Sequence, residues 1–120
     1  MRHGFSLVEA LVALALFQIA MLALAASTAV AARDLADAAR RTRATSLARN
    51  GVQLMLVTAC ADAVGVEEVA HPNAYIEHRR RSVAAAGRRE LVDSVVYAVH
   101  GNRDRAIVLR TWAFCPPPPP

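Results

Sequence analysis

Hydrophobic residues are concentrated in one long run near the start of the chain. Between residues 5 and 32 the only charged residue is Glu9, leucine and alanine dominate, and proline is absent. This composition favours a helix. At about 1.5 Å per residue the helix would be about 42 Å long, more than the roughly 30 Å hydrocarbon core of a bilayer. The run therefore predicts a helix long enough to cross a membrane.

The next segment, from residue 33 to about 59, keeps helix-forming residues but becomes amphipathic. Apolar residues recur there at helical spacing and predict a face that packs on a sheet: Ala44, Leu47, Ala48, Gly51, Val52 and Met55. Gly51 is less favourable than alanine inside a helix by about 1 kcal/mol, so it indicates a close contact or a bend. The simplest structure is one helix from Phe5 to near Ala59.

Beyond Cys60 the helical periodicity ends and strand patterns follow. Gly65, residues 71–73 and Gly87 predict loops. Three strands are predicted at 74–83, 91–100 and 106–114, with a hairpin turn at 101–103. Asp93 interrupts the apolar face of the second strand. The expected fold class is α+β, with one long N-terminal helix packed on a small antiparallel sheet of about three strands.

The composition excludes several classes of protein. The chain has 120 residues, 55% of them hydrophobic, with two cysteines and a net charge of +4. Such an apolar content excludes intrinsic disorder, and two cysteines exclude a disulfide-dense miniprotein. Too little chain remains outside the apolar run to enclose a deep catalytic pocket. Since common catalytic and nucleotide-binding motifs are also missing from the sequence, neither an enzyme, a cofactor nor a small-molecule substrate is expected.

A short motif precedes the uncharged run. Gly4, Phe5 and Glu9 stand in the order Gly-Phe-Ser-Leu-Val-Glu. A carboxylate within a membrane segment costs about 2.5–3.5 kcal/mol on insertion scales, so Glu9 is a candidate functional residue. The motif resembles the class III signal of type IV pilins and type II secretion pseudopilins. The resemblance implies cleavage between Gly4 and Phe5 by a prepilin peptidase, methylation of Phe5, and retention of Glu9 as the assembly carboxylate.

The same resemblance implies a structural function. The chain is expected to be a minor pilin or pseudopilin that initiates, caps or modifies a type IV pilus or type II secretion pseudopilus, with other pilin-like subunits as partners. It would cross the bacterial inner membrane once, place its head in the periplasm, and then join the fibre. The expected segments are a leader (1–4), a transmembrane and assembly helix (5–32), an amphipathic helix (33–59), a head (60–115) and a polyproline tail (116–120).

A conventional signal peptide or a plain membrane anchor is the alternative for the first segment. The small residues at 29–31 would suit a signal-peptide cleavage site. Arginines near the ends of the run lie mainly on its carboxyl side, which by itself favours a cytoplasmic head. The pilin-like motif and the pair of cysteines favour an exported head instead.

The two cysteines, Cys60 and Cys115, lie at the predicted ends of the helix and of the last strand. If the head is exported, a disulfide between them is predicted, because it would join helix and sheet by closing a loop of about 55 residues. Two separate buried thiols are the alternative. A metal site is not predicted, since His71, His78 and His100 lack zinc-ligand spacing with either cysteine.

Five arginines on and beside the first two predicted strands form a candidate basic surface: Arg79, Arg80, Arg81, Arg88 and Arg89. Such a surface could attract DNA or acidic lipid headgroups, which makes a DNA-binding minor pilin an alternative function. Only Tyr75 lies nearby to stack on bases. Because arginines also protect an exposed sheet edge from aggregation, a solvated edge is favoured over a nucleic-acid site.

Overall fold

The computed structural model describes residues 6–84, 87–101 and 103–116. One helix is followed by four strands: α1 (Leu7–Val57), β1 (Gly65–His71), β2 (Tyr75–Val83), β3 (Arg88–Val99) and β4 (Arg103–Phe114). The chain divides into two compact units, Met1–Ala36 and Asp37–Pro120, and α1 contributes residues to both. The α+β class predicted from the sequence is confirmed.

The described part of the first unit, residues 6–36, is helical from Leu7 onward and fully exposed. Its exposed side chains include large apolar groups such as Leu11, Phe17 and Leu22. This helix is long and apolar enough to cross a membrane. A helix that is apolar on all sides is stable in lipid or among other helices, not in water.

In the second unit the four strands form one antiparallel sheet in the order β1-β2-β3-β4. Each strand therefore pairs with its neighbours in sequence, and β2 and β3 lie in the middle. Gly101, with φ of 87°, contributes to the turn between β3 and β4. A glycine suits this left-handed conformation because it has no Cβ.

The strand count predicted from the sequence was wrong, since the structure adds β1 where loops were expected. β1 has two adjacent glutamates, so it lacks the apolar–polar alternation that identifies a half-buried strand. Its partner strand supplies the missing signal: Glu67 lies opposite Arg79, and Glu68 lies opposite His78. Opposite charges at facing positions stabilise a strand pair, but that pairing is not visible along a single segment.

The core of the second unit lies between α1 and the sheet, in two apolar clusters. The first joins Ala44 and Ala48 of the helix to side chains of β2 and β3, namely Tyr75, Val95 and Tyr97. The second joins Met55 and Ala59 to Leu91 of β3. Gly51 is buried between these helical residues, so the stripe predicted from the sequence does face the sheet.

Candidate functional site

The described part of the motif begins with a reciprocal pair of hydrogen bonds at the start of α1. The Ser6 hydroxyl oxygen accepts a hydrogen bond from the backbone N–H of Glu9 at 3.2 Å. The Glu9 carboxylate accepts one from the backbone N–H of Ser6 at 3.1 Å through Oε2. This is a capping box, which satisfies two backbone donors that a helix start otherwise leaves free. Gly4 and Phe5, the predicted cleavage and methylation residues, lie outside the described residues.

The capping box explains how a carboxylate is held at the start of an apolar helix. Ser6 was not singled out in the sequence, although the spacing Ser-x-x-Glu before an apolar run is the signature of such a cap. The bond from Ser6 engages only Oε2 of Glu9. Among the described residues, no hydrogen bond reaches Oε1.

The head is closed by a disulfide between Cys60 and Cys115. Cys60 lies in the turn that follows α1, and Cys115 directly follows β4. Their Cα atoms are 5.4 Å apart, and 55 positions separate them in sequence. This is the cysteine pair predicted from the sequence, and it joins the end of the helix to the end of the last strand.

Beneath the helix, the middle of the head is charged. The side chains of Glu77 on β2 and Asp93 on β3 are almost wholly inaccessible to solvent. Both carboxylates lie against Gly51, where a Cβ atom would overlap them. The contact that Gly51 indicated in the sequence is therefore one with two buried acids, and alanine would not fit without displacing them.

The two acids are held in different ways. Glu77 accepts hydrogen bonds from Arg79 Nε at 2.5 Å and from the ring of His71. No donor among the described residues reaches either carboxylate oxygen of Asp93. The Glu77 carboxylate is the group to which a protonated Asp93 can donate.

The pKa values of the two acids move in opposite directions. Burial by itself raises the pKa of Glu77, but hydrogen bonds from Arg79, His71 and Asp93 outweigh it and lower the pKa overall. Burial, followed by the hydrogen bond to Glu77 and the charge of that carboxylate, raises the pKa of Asp93 to about 7. Asp93 and Glu77 therefore share a proton in mildly acidic solution, with the proton on Asp93.

The structure separates the five arginines of the candidate basic surface. The side chains of three of them contact acidic groups or backbone oxygens within the head. Arg79 binds Glu77, Arg81 binds Asp62 at 3.1 Å, and Arg89 donates to the backbone oxygens of Ala59 and Asp62.

The other two arginines, Arg80 and Arg88, are exposed. Because β1 pairs with β2, Arg80 lies on an internal strand and not on the sheet edge that three strands would have left. Arg81 and Arg89 were missed as structural residues because their partners are distant in sequence. Arg79 was missed because the sequence does not show that its neighbour Glu77 is buried.

The three histidines of the head are also dispersed. The ring of His71 contacts Glu77, the ring of His78 lies 3.5 Å from Glu68, and the backbone N–H of His100 donates to Asp37. Within residues 6–84, 87–101 and 103–116, no three histidine, cysteine or acidic side chains are grouped as a metal ion requires.

Comparison with known proteins identifies the amino-terminal segment. A family model described as the prokaryotic N-terminal methylation motif matches residues 1–26. Residues 1–26 are a pilin-type signal motif. This motif is the signal of type IV pilins and pseudopilins, as the resemblance indicated. No curated protein and no solved structure showed a significant match to the chain.

The pilin-type motif covers the capping box and most of the exposed apolar part of α1. It points to a structural subunit that is a substrate for prepilin processing and assembles with other pilin subunits. The head, with its disulfide and buried acids, lies outside the matched residues. A motif of this kind, together with a long apolar helix, fits an anchor in the inner membrane.

Proposed function

We propose that this chain is a minor pilin or pseudopilin, a subunit that initiates, caps or modifies a type IV pilus or a type II secretion pseudopilus. The observation that carries the proposal is the coincidence of the pilin-type motif at residues 1–26 with a helix whose apolar surface is exposed on all sides. Such a surface needs lipid before assembly and other helices after it.

Processing is proposed between Gly4 and Phe5, with methylation of the new amino group on Phe5. Cleavage there would leave a positive amine next to Ser6. In apolar surroundings this amine and the Glu9 carboxylate would both be unfavourable without a partner. The position of Glu9 in the first turn of α1 supports a pairing in which the carboxylate of one subunit binds the amine of another.

The head is proposed to lie in the periplasm. The Cys60–Cys115 disulfide supports export, because disulfides persist in oxidising compartments and are rare in the cytosol. The arginines that follow the apolar run favour the opposite orientation. We give the disulfide more weight, since its formation depends on the compartment in which the head folds.

A DNA-binding function is not proposed. Arg79, Arg81 and Arg89 are engaged by acidic groups or backbone oxygens of the head. Arg80 and Arg88 remain exposed. Arg80 lies opposite Val92 of β3, and Arg88 lies opposite Phe114 of β4. Arg80 and Arg88 therefore do not form one continuous row of arginines.

The processing step is tested on the full chain produced in a bacterial membrane together with a prepilin peptidase. Amino-terminal sequencing and intact mass should show a chain that starts at Phe5 and is heavier by one methyl group. The Gly4→Leu variant should remain uncut, because a side chain at this position prevents close approach of the protease. A start near Ala32, or an intact Met1 in the presence of active peptidase, would refute the proposal.

The assembly step is tested with Glu9→Gln, which is expected to be processed normally but to be lost from isolated fibres. Asp104→Asn is the matched control, since Asp104 is an exposed carboxylate in the head. Incorporation of both variants at the wild-type level would show that Glu9 does not act in assembly.

A further inference from the structure

A cleft of about 490 Å³ opens between the helix and one end of the sheet in the second unit. Its walls come from the helix at Ala39–Arg43, from the turn before β2, and from the facing tyrosines of β2 and β3. The lining residues that carry polar groups are Arg40, Arg43, Asn73, Tyr75 and Tyr97. The volume falls in the range of small-molecule sites, which is about 300–1,000 Å³.

The cleft is positively charged. Two of its lining residues, Arg40 and Arg43, carry guanidinium groups, and none of its described lining residues carries a carboxylate. The two arginines are three positions apart on one helix, so they share a face. A concave surface with an excess of positive charge attracts an anion.

Arg43 is held in place without an acidic partner. Its guanidinium carbon lies 5.6 Å from the centre of the Tyr75 ring. Tyr75 is in turn stacked on Tyr97, with 6.2 Å between ring centres. Among the described residues no carboxylate forms an ion pair with Arg43. Stacking on a ring leaves the planar N–H groups of the guanidinium free to bind an anion.

Arg40 is only partly engaged. One of its terminal nitrogens lies 3.4 Å from the Asp37 carboxylate, which also accepts a hydrogen bond from the backbone N–H of His100. A guanidinium has five N–H donors, so most of those on Arg40 remain available. Asn73 adds an amide to the cleft from a turn in which it adopts a left-handed conformation, with φ of 65°.

We propose that this cleft binds a phosphate group. The planar fork of arginine matches the spacing of phosphate oxygens and binds them through paired, charge-assisted hydrogen bonds. Arg40 and Arg43 provide these bonds, and the Asn73 amide provides a neutral donor beside them. The Tyr75 hydroxyl instead donates to the backbone oxygen of Arg40 at 3.4 Å, which ties the ring to the helix. Two sources present this chemistry to the cleft, free inorganic phosphate and the headgroup of an anionic phospholipid.

The test uses the full chain in neutral maltoside micelles and isothermal titration calorimetry. One arm adds inorganic phosphate; the other adds phosphatidylglycerol in mixed micelles, with phosphatidylcholine as reference. The cleft variant carries Arg40→Gln with Arg43→Gln. The matched control carries Arg80→Gln with Arg88→Gln, which removes the same charge from exposed positions of the head that do not line the cleft.

We expect saturable binding that the cleft variant weakens at least about tenfold, since it loses several charge-assisted hydrogen bonds, and that the control leaves nearly unchanged. The single variant Arg40→Gln leaves the Arg43–Tyr75 stack intact and should weaken binding without disturbing the fold. Near-ultraviolet circular dichroism checks that each variant is folded.

The outcomes separate free phosphate from a lipid headgroup as the ligand, and two of them would overturn the proposal. Cleft-dependent binding of inorganic phosphate identifies free phosphate as a ligand, and cleft-dependent binding of phosphatidylglycerol alone identifies a lipid headgroup. Equal weakening in both double variants would reduce the effect to net charge and overturn the proposal. An absence of saturable binding in both arms would overturn it as well.

Discussion

Replacing Asp93 by asparagine should remove a pH dependence from the stability of the head. Asp93 is buried against Gly51 and faces Glu77, which is bound by Arg79 and His71. Its pKa is about 7 in the folded head against an ordinary value of 3.8. Between these values the folded head keeps a proton that the unfolded chain releases. Stability therefore falls as the pH rises, and the loss is complete above about pH 7.

The magnitude follows from the size of the pKa shift. A single group changes the free energy of unfolding by at most about 1.4 kcal/mol per pH unit, so the loss between pH 5 and pH 7 is at most about 3 kcal/mol. The lowered pKa of Glu77 has the opposite sign, since it removes stability as the pH falls. Glu77 therefore affects stability only below about pH 4.5, its ordinary pKa, whereas the assay covers pH 5 to pH 8.

The assay is urea unfolding of the full chain in neutral micelles at pH 5, 6, 7 and 8, followed by the fluorescence of Trp112, the single tryptophan. In Asp93→Asn, the free energy of unfolding should fall much less between pH 5 and pH 8 than it does in the wild type. This variant should also be more stable than the wild type at pH 8, because its amide can still donate to Glu77. Asp104→Asn, at an exposed position on β4, should keep the wild-type profile. A wild-type head equally stable at pH 5 and pH 8, or an Asp93→Asn head with an undiminished decline, would refute the reasoning.

Three further substitutions test other contacts. Gly51→Ala should destabilise the head by about 1–3 kcal/mol in urea unfolding, because the alanine Cβ overlaps two buried carboxylates despite the better helix propensity of alanine. Gly65→Ala is the control and should change the free energy of unfolding little, since a Cβ there has open space. Cys60→Ser with Cys115→Ser should lower the free energy of unfolding by about 4 kcal/mol, the loop entropy for 55 residues, and added reductant should then have no further effect. Ser6→Ala should cost about 1 kcal/mol of helix stability at the amino end of α1, seen as faster amide exchange there, and unchanged exchange would contradict the capping box.

The features predicted correctly are those written into short stretches of sequence. A membrane-length helix follows from an uncharged run, and the helical stripe around Ala48 and Met55 follows from 3.6-residue periodicity. The pilin-type motif is a local pattern, so a family model detects it within residues 1–26. The strands β2, β3 and β4 were found for the same reason, because apolar residues or turn signals mark them.

Most features that escaped prediction depend on contacts between residues that are distant in sequence. β1 pairs with β2, which places Arg81 3.8 Å from Glu67 and the ring of His78 3.5 Å from Glu68. Arg79, Arg81 and Arg89 suggest a basic surface in a linear sequence, but the folded head places acidic groups or backbone oxygens beside them.

The sequence by itself determined the pilin-type motif, the apolar helix and the helical stripe, since each rests on residues whose identity or spacing is sufficient. It predicted the Cys60–Cys115 disulfide only for an exported head, with two separate thiols as the alternative. Only the tertiary structure decided that Gly51 lies over Glu77 and Asp93, and that Arg40 and Arg43 share a cleft with two tyrosines. The physical reason is that burial and charge pairing are properties of the packed chain. A carboxylate has the same identity in a loop and in a core, but its pKa and its partners depend on what the fold places against it.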